Sequence, residues 1–257
     1  MTVDMMRFYR EEDLFPREFT GMTERPWGIL FHNEANRDSY DSNHALIFRD
    51  RVTDLPATLE EIRDFYLSRR VHPVIYQSIM DDGWFGEIAG ELEKAGVRSW
   101  LEEQTYMALT ERSAIVPDPA VDVRLEPVWR DEFGTHIFEA AGEPWEIPVV
   151  RRQMENAGTR CFVARIGGLP VGMIYGHVNG ENVCRIDYLL TATAHRGRGV
   201  GRALTHAFVE HVKAAGVDCV LWPDGETPRR IYEEAGFRYV ETRHAGRASW
   251  RGHVIGA

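Results

Sequence analysis

Six consecutive residues, Arg196-Gly197-Arg198-Gly199-Val200-Gly201, have the composition of an anion site. Glycines let backbone N–H groups turn into one concavity, and a helix that follows adds the positive end of its dipole. The flanks supply both neighbours that such a turn needs. Val183 to Thr191 is rich in β-branched and aromatic residues and reads as a strand, while Val200, Ala203, Leu204, Ala207, Phe208, Val212 and Ala215 fall on one face of a helix. The spacing excludes two common phosphate sites. A P-loop ends in Gly-Lys-Ser/Thr to reach terminal phosphates and magnesium, and a dinucleotide fingerprint has wider glycine spacing with an acidic residue after the next strand.

What the turn does fit is Arg/Gln-x-x-Gly-x-Gly between a strand and an amphipathic helix, and in this the chain resembles the GNAT superfamily of acyl-CoA-dependent N-acyltransferases. The resemblance implies that Arg196, Gly197, Arg198, Gly199, Val200 and Gly201 hold the pyrophosphate of coenzyme A, with Arg202 just inside the helix. It also implies that the preceding strand splays from its neighbour and offers the backbone of Leu189, Leu190 and Thr191 to the pantetheine arm. Tyr232, four residues before Gly236-Phe237, stands where the family often has a tyrosine that returns a proton to the leaving thiolate. A phenol, with an ordinary pKa near 10, suits that transfer. Some members carry a glutamate base on the strand before the loop; that position is Arg185 here. Asp187, two residues on and on the same side by alternation, becomes the candidate base. Two positions depart from the family: its common asparagine seven residues before the tyrosine is Gly225, and the usual alanine three residues later is Pro228.

Other chemistry finds less support. His195 reads as a solvated loop residue, and His206 and His211, five apart on a helix, lack same-face ligand spacing, so no metal is expected. Cys161, Cys184 and Cys219 lie in predicted strands without metal-type spacing and read as small buried hydrophobes in a reducing compartment. Trp84, Trp145 and Trp222 are either core or walls of an acceptor site. Asp41-Ser42-Asn43-His44 suggests a catalytic cluster, but these are also the residues with which turns satisfy their own backbone, and the turn reading is preferred. The net charge of −10 argues against nucleic acid or an anionic membrane as partner. No apolar leader or membrane-length apolar run is present, which points to a cytoplasmic protein.

With 257 residues, two domains of about 120 are expected. Trp27 to Phe31 and Ala45 to Arg49 read as strands. Thr58-Leu59-Glu60-Glu61 opens a helix with Leu59, Ile62, Phe65 and Tyr66 inward, and Val74 to Tyr76, a helix from Trp84 to Ala95 and a strand from Gln104 to Leu109 follow. The Pro-bearing segment Glu111 to Ala120 reads as a linker. Beyond it come helices near Trp129 to Ala140 and Ile147 to Asn156. Strands Arg160 to Ile166, Pro170 to His177 and Val183 to Thr191 lead to the loop and its helix. Strand Asp218 to Trp222, helix Pro228 to Ala235 and strand Phe237 to Thr242 complete the set.

Glu93-Lys94-Ala95-Gly96-Val97-Arg98 echoes Glu233-Glu234-Ala235-Gly236-Phe237-Arg238, a weak internal repeat. In that register Leu92 takes the place of Tyr232, and the glycine-free Asp50 to Ala57 takes the place of the phosphate loop. A cradle with two acidic residues and a proline is a poor pyrophosphate site. The expected fold class is α/β (α+β), a GNAT-like mixed, mostly antiparallel sheet flanked by helices, in two copies. Residues 1–115 would form a degenerate copy without a CoA loop, and 120–257 the acetyltransferase domain. The expected function is transfer of acetyl from acetyl-CoA, as co-substrate, to a primary amine of a small molecule, by a monomer or homodimer. A protein N-terminal or lysine acetyltransferase and a non-catalytic CoA-binding sensor are the alternatives.

Overall fold

A computed structural model of the protein describes residues 3–250. In chain order it forms α1 (Met5–Glu12), β1 (Gly21–Arg25), β2 (Gly28–His32), β3 (Ala45–Ile47), α2 (Leu55–Ser68), β4 (Val74–Gln77), α3 (Trp84–Glu87), α4 (Ala89–Lys94) and β5 (Val97–Leu109). There follow β6 (Asp122–Leu125), α5 (Asp131–Phe133), α6 (Ile147–Gln153), β7 (Thr159–Ile166), β8 (Leu169–Val178), β9 (Val183–Thr191), α7 (Val200–Ala214), β10 (Asp218–Leu221), α8 (Glu226–Glu234) and β11 (Phe237–Trp250). Two compact units interleave along this chain: a larger one of residues 1–11 and 105–241, and a smaller one of 12–104 and 242–257. A single division between 115 and 120 was expected; instead the chain passes between units three times. Glu111 to Ala120 is extended, yet it belongs to the larger unit, where Ile115 is buried in the core and the Ala114 N–H donates to Glu234 O at 2.8 Å.

In the smaller unit β1, β2 and β3 are antiparallel, β3 runs parallel to β4, and β4 pairs antiparallel with Arg247 to Ser249 of β11. α2 buries Leu59, Ile62 and Tyr66 at helical spacing. The Asp54 carboxylate caps this helix, accepting from the Ala57 N–H at 3.0 Å. Trp84, Phe85, Leu92 and Val97 complete that core. Asp41 to His44 form a turn, as preferred. The Asn43 amide donates to Asn36 O and Ser39 O and accepts from the Asn33 N–H. His44 is buried, donates from Nδ1 to Tyr40 O and stacks on Tyr76 at 4.2 Å; burial pushes its pKa down to about 4.

In the larger unit β6, β7, β8 and β9 form an antiparallel run, β9 is parallel to β10, and β10 pairs antiparallel with Met107 and Ala108 of β5. α7 and Tyr232 of α8 pack on one face of this sheet. The other face is covered by α5, a π-helical turn Gly134–Glu139 and α6, through Phe133, Ile137, Phe138 and Val150. A continuous helix from Trp129 to Ala140 was expected; the wider winding of the π turn follows three α-helical residues. α1, a helix rich in charged residues, packs its Phe8 and Tyr9 edge-on against Tyr106.

The order β7-β8-β9-α7-β10-α8-β11 has the same connectivity as β1-β2-β3-α2-β4-α3/α4-β5, with a parallel pair in each at β9/β10 and β3/β4. The echoed residues also share a conformation: Gly96 and Gly236 both end a helix at positive φ, 77° and 100°, and a strand starts at the next residue.

Candidate active site

The register of β9 explains why an extended ligand can lie beside it. Parallel pairing with β10 covers Val183 to Arg185, which faces Val220. From Ile186 to Thr191, β9 is laddered to β8 alone among the described residues. One backbone edge of that half is therefore open, and an open edge is a template for another extended chain. Leu189, Leu190 and Thr191 lie along it; the Thr191 carbonyl also accepts from Arg196 Nε at 3.3 Å.

A bulge sits where the strands part. Tyr188 opposes Tyr175 and Ile186 opposes Gly176, so Asp187 is the extra residue. Ile186 and Leu189 pack on the α7 side while Tyr188 and Leu190 pack on the α6 side. On the α6 side, Asp187 accepts from Gln153 Nε2 at 3.2 Å through Oδ2 and pairs with Arg185 at 2.8 Å through Oδ1. Arg185 in turn lies over the Trp222 ring at 4.3 Å. Tyr175 and Tyr188 stack at 5.8 Å. Burial, followed by the Asp187 and Glu146 carboxylates, pushes the Tyr175 phenol well up, and burial with Glu146, Glu143 and Asp187 raises Tyr188.

Beyond Thr191 the chain makes a short 3₁₀ turn and enters the glycine loop. Gly197 and Gly199 have φ of 73° and 76°, a region side chains disfavour. Gly199 is the N-cap of α7, and no side chain caps this helix. Its first N–H groups are thus left for a ligand, and the missing Cβ at Gly197 would meet nothing within 4 Å. α7 is held at that place by two glycines of β8. A Cβ on Gly172 would lie 2.7 Å from Val200 Cγ1, and one on Gly176 would lie 2.7 Å from Phe208 Cζ. Val200, Leu204 and Phe208, four residues apart, ride on those gaps. The loop's residues suit a pyrophosphate, with qualification for the arginines. Arg198 contacts His195 at 3.1 Å, and Arg202 is engaged by Glu234.

Tyr232 is buried on α8 in the α7-side core, edge-on to Phe237 at 5.7 Å. Burial, and secondarily Cys219, raises its phenol above the ordinary range. It stays neutral and able to donate. Cys219 faces Cys184 across the parallel pair, and with Cys161 all three thiols are buried and free. Trp84 is core in the smaller unit, Trp145 is exposed, and Trp222 supports Arg185. Among the described residues no group of three or more acidic, histidine or cysteine side chains converges as for a metal, and no helix is long and apolar enough to cross a membrane.

A parallel pair thus opens beside a glycine turn and a helix N-terminus that no side chain caps. Residues 125–237, which contain the loop, the opened strands and Tyr232, match the acetyltransferase (GNAT) family model, and this domain belongs to that family. The chain is 27% identical over 147 residues, 54% of its length, to the mycothiol acetyltransferase of Frankia casuarinae. Over 92 residues, 35% of its length, it is 30% identical to a probable transcriptional regulatory protein of Desulfotalea psychrophila. These matches span 42% and 37% of the two relatives, less than half of each. In fold it is similar to a GCN5-related N-acetyltransferase from Kribbella flavida, with a TM-score of 0.69 at 16% identity over 98% of both chains.

Proposed function

We propose that the protein transfers an acetyl group from acetyl-CoA to a primary amine of a small molecule. The observation that carries this reading is the open edge of β9 from Ile186 to Thr191 leading into the uncapped N-terminus of α7. Gly197, Gly199 and the first N–H groups of α7 bind the pyrophosphate, with Arg196 and Arg198 as flanking cations. The backbone of Leu189, Leu190 and Thr191 holds the pantetheine arm. Acetyl-CoA supplies the activated acyl group as a thioester.

The chain's own residues then orient the amine and move two protons. Asp187 receives the proton that the ammonium must lose, through Oδ2, which accepts from the neutral Gln153 amide; Oδ1 is held by Arg185. Tyr232 gives a proton to the leaving thiolate. The smaller unit acts as a copy that has kept the connectivity and given up the cofactor. At the end of α2 that corresponds to the loop, the Asp54 carboxylate already satisfies the Ala57 N–H. Thiol release from acetyl-CoA with a panel of amines tests the reading. Acetyl-CoA that binds without any amine raising thiol release would overturn it in favour of a sensor, and rates confined to peptide amines would overturn the small-molecule acceptor.

A further inference from the structure

Asp187 is held by an amide that leaves half of its own hydrogen bonding unmade. Gln153 is the last residue of α6, and its carbonyl accepts from the Asn156 N–H at 2.9 Å and the Thr159 hydroxyl at 2.7 Å, which fixes where its side chain starts. From there Nε2 donates to Asp187 Oδ2 at 3.2 Å. Gln153 is 4% exposed, and its Oε1 is buried with no donor among the described residues. An oxygen left in this way destabilises a fold, whereas an apolar side chain of the same length carries no such penalty. Turning the amide over brings no relief, because it would set oxygen against carboxylate oxygen. What the amide supplies is a donor to the carboxylate. That bond favours the charged form of Asp187, fixes the plane of the group, and takes one lone pair of Oδ2 while leaving the other for an incoming proton.

We propose that Gln153 is a positioning residue for the transfer, acting through Asp187: its amide keeps that carboxylate ionised and turned to receive the acceptor's proton, although the unpaired Oε1 destabilises the fold. The other charged and titratable groups around Asp187 are Arg185 on its own strand, Tyr188 beside it and Tyr175 on β8. Glu146 acts with Asp187 on both tyrosines, and Glu143 on Tyr188. A substitution at Gln153 changes none of these, so a moved pH profile reports the amide. The sequence carries no signal for this role, since Gln153 lies in a helix without a motif.

This inference rests on the acetyl-transfer reading with Asp187 as base, and the test keeps the two apart. Full-length parent, Gln153→Met, Asp187→Asn and the double variant are compared by thermal melts and by calorimetry with acetyl-CoA. Thiol release is followed across pH with 1,4-diaminobutane, 2-aminoethanol and benzylamine, and kcat is taken for the amine that the parent uses fastest. Gln153→Met is expected to bind acetyl-CoA as the parent does and to melt within about 3 °C of it. Its kcat should fall about tenfold, and the acid limb of the kcat profile should move up by about half a pH unit or more, because the ionised form of Asp187 has lost a donor. Asp187→Asn should lose about a hundredfold, and adding Gln153→Met to it should remove nothing further. Gln153→Glu carries the profile alone if Gln153→Met does not fold: a second carboxyl against Asp187 should move the limb further in the same direction. An equal further loss in the double variant, or a limb that stays in place while the melting temperature drops, would make Gln153 a structural residue and overturn the inference. Parental kcat in Asp187→Asn removes the base, and the inference with it, while leaving transfer intact. Acetyl-CoA binding with no thiol release from any amine instead removes the transfer reading itself.

Discussion

Gly172 and Val200 meet across the sheet so closely that the Cβ which Gly172 lacks would lie 2.7 Å from Val200 Cγ1. The same Cβ would be 2.9 Å from Leu190 O, a backbone atom of β9 that cannot rotate away. The contact fixes how the first turn of α7 sits on β8, and with it the direction of the helix N-terminus. Gly172→Ala is expected to destabilise the protein by about 1–3 kcal/mol. It should also weaken CoA binding although it touches no ligand. Denaturant melts and calorimetry on the same samples check both effects.

At Gly199 the two costs of a side chain can be separated. Its φ of 76° penalises any Cβ, by roughly 1 kcal/mol, so alanine and glutamate should destabilise the protein alike. CoA affinity should part them: Gly199→Glu, with a carboxylate at the pyrophosphate, is expected to lose at least tenfold more than Gly199→Ala. Equal affinity of the two variants would remove the loop from the binding site.

Tyr232→Phe keeps the edge contact with Phe237 and deletes the proton. Its kcat should fall on the order of 10²-fold with acetyl-CoA affinity unchanged. Because burial raises the phenol, the parent should show no fall in rate from its ionisation up to about pH 10. A decline below that pH, abolished in the variant, would contradict the environment described for Tyr232.

His44 offers a test in the smaller unit. Its pKa is lowered by burial to about 4 in the fold against an ordinary 6.5, so the unfolded chain binds more protons between those values. Stability from this residue is complete above about pH 6.5 and is lost as pH falls towards 4, by up to about 3 kcal/mol. His44→Phe, which retains a ring against Tyr76, should flatten that slope in melts recorded across the window. An unchanged slope would assign the acid sensitivity elsewhere.

The parts of the site legible in the sequence were those written in side-chain period or in glycine. The loop showed because two residues had to adopt positive φ and because α7 carries an apolar face from Val200 to Val212. Alternation correctly set Arg185 and Asp187 on one side. It could not reveal that Tyr188 joins them, because a bulge changes the hydrogen-bond register without requiring any residue type. The pair Gly172 and Gly176 is a further readable signal: glycine at even spacing within a strand marks close approach of another element. α1 carries little apolar signal because arginines and glutamates surround Phe8 and Tyr9. The exchange of segments was beyond reach, since local sequence states that Phe237 to Thr242 is a strand but not how far β11 runs or which neighbours it finds.

That exchange governs how the protein can be made. The smaller unit needs Arg247 to Ser249 beside β4, and the larger one needs Phe237 and the helix before it against α7. Residues 12–104 leave the ribosome well before Arg247 to Ser249 and cannot close their sheet until those residues have been added. Neither unit has a head start of the kind that lets domains fold one after another during synthesis. The edge of β4 waits unpaired until Arg247 to Ser249 follow, by which time residues 105–241 of the larger unit have all been made.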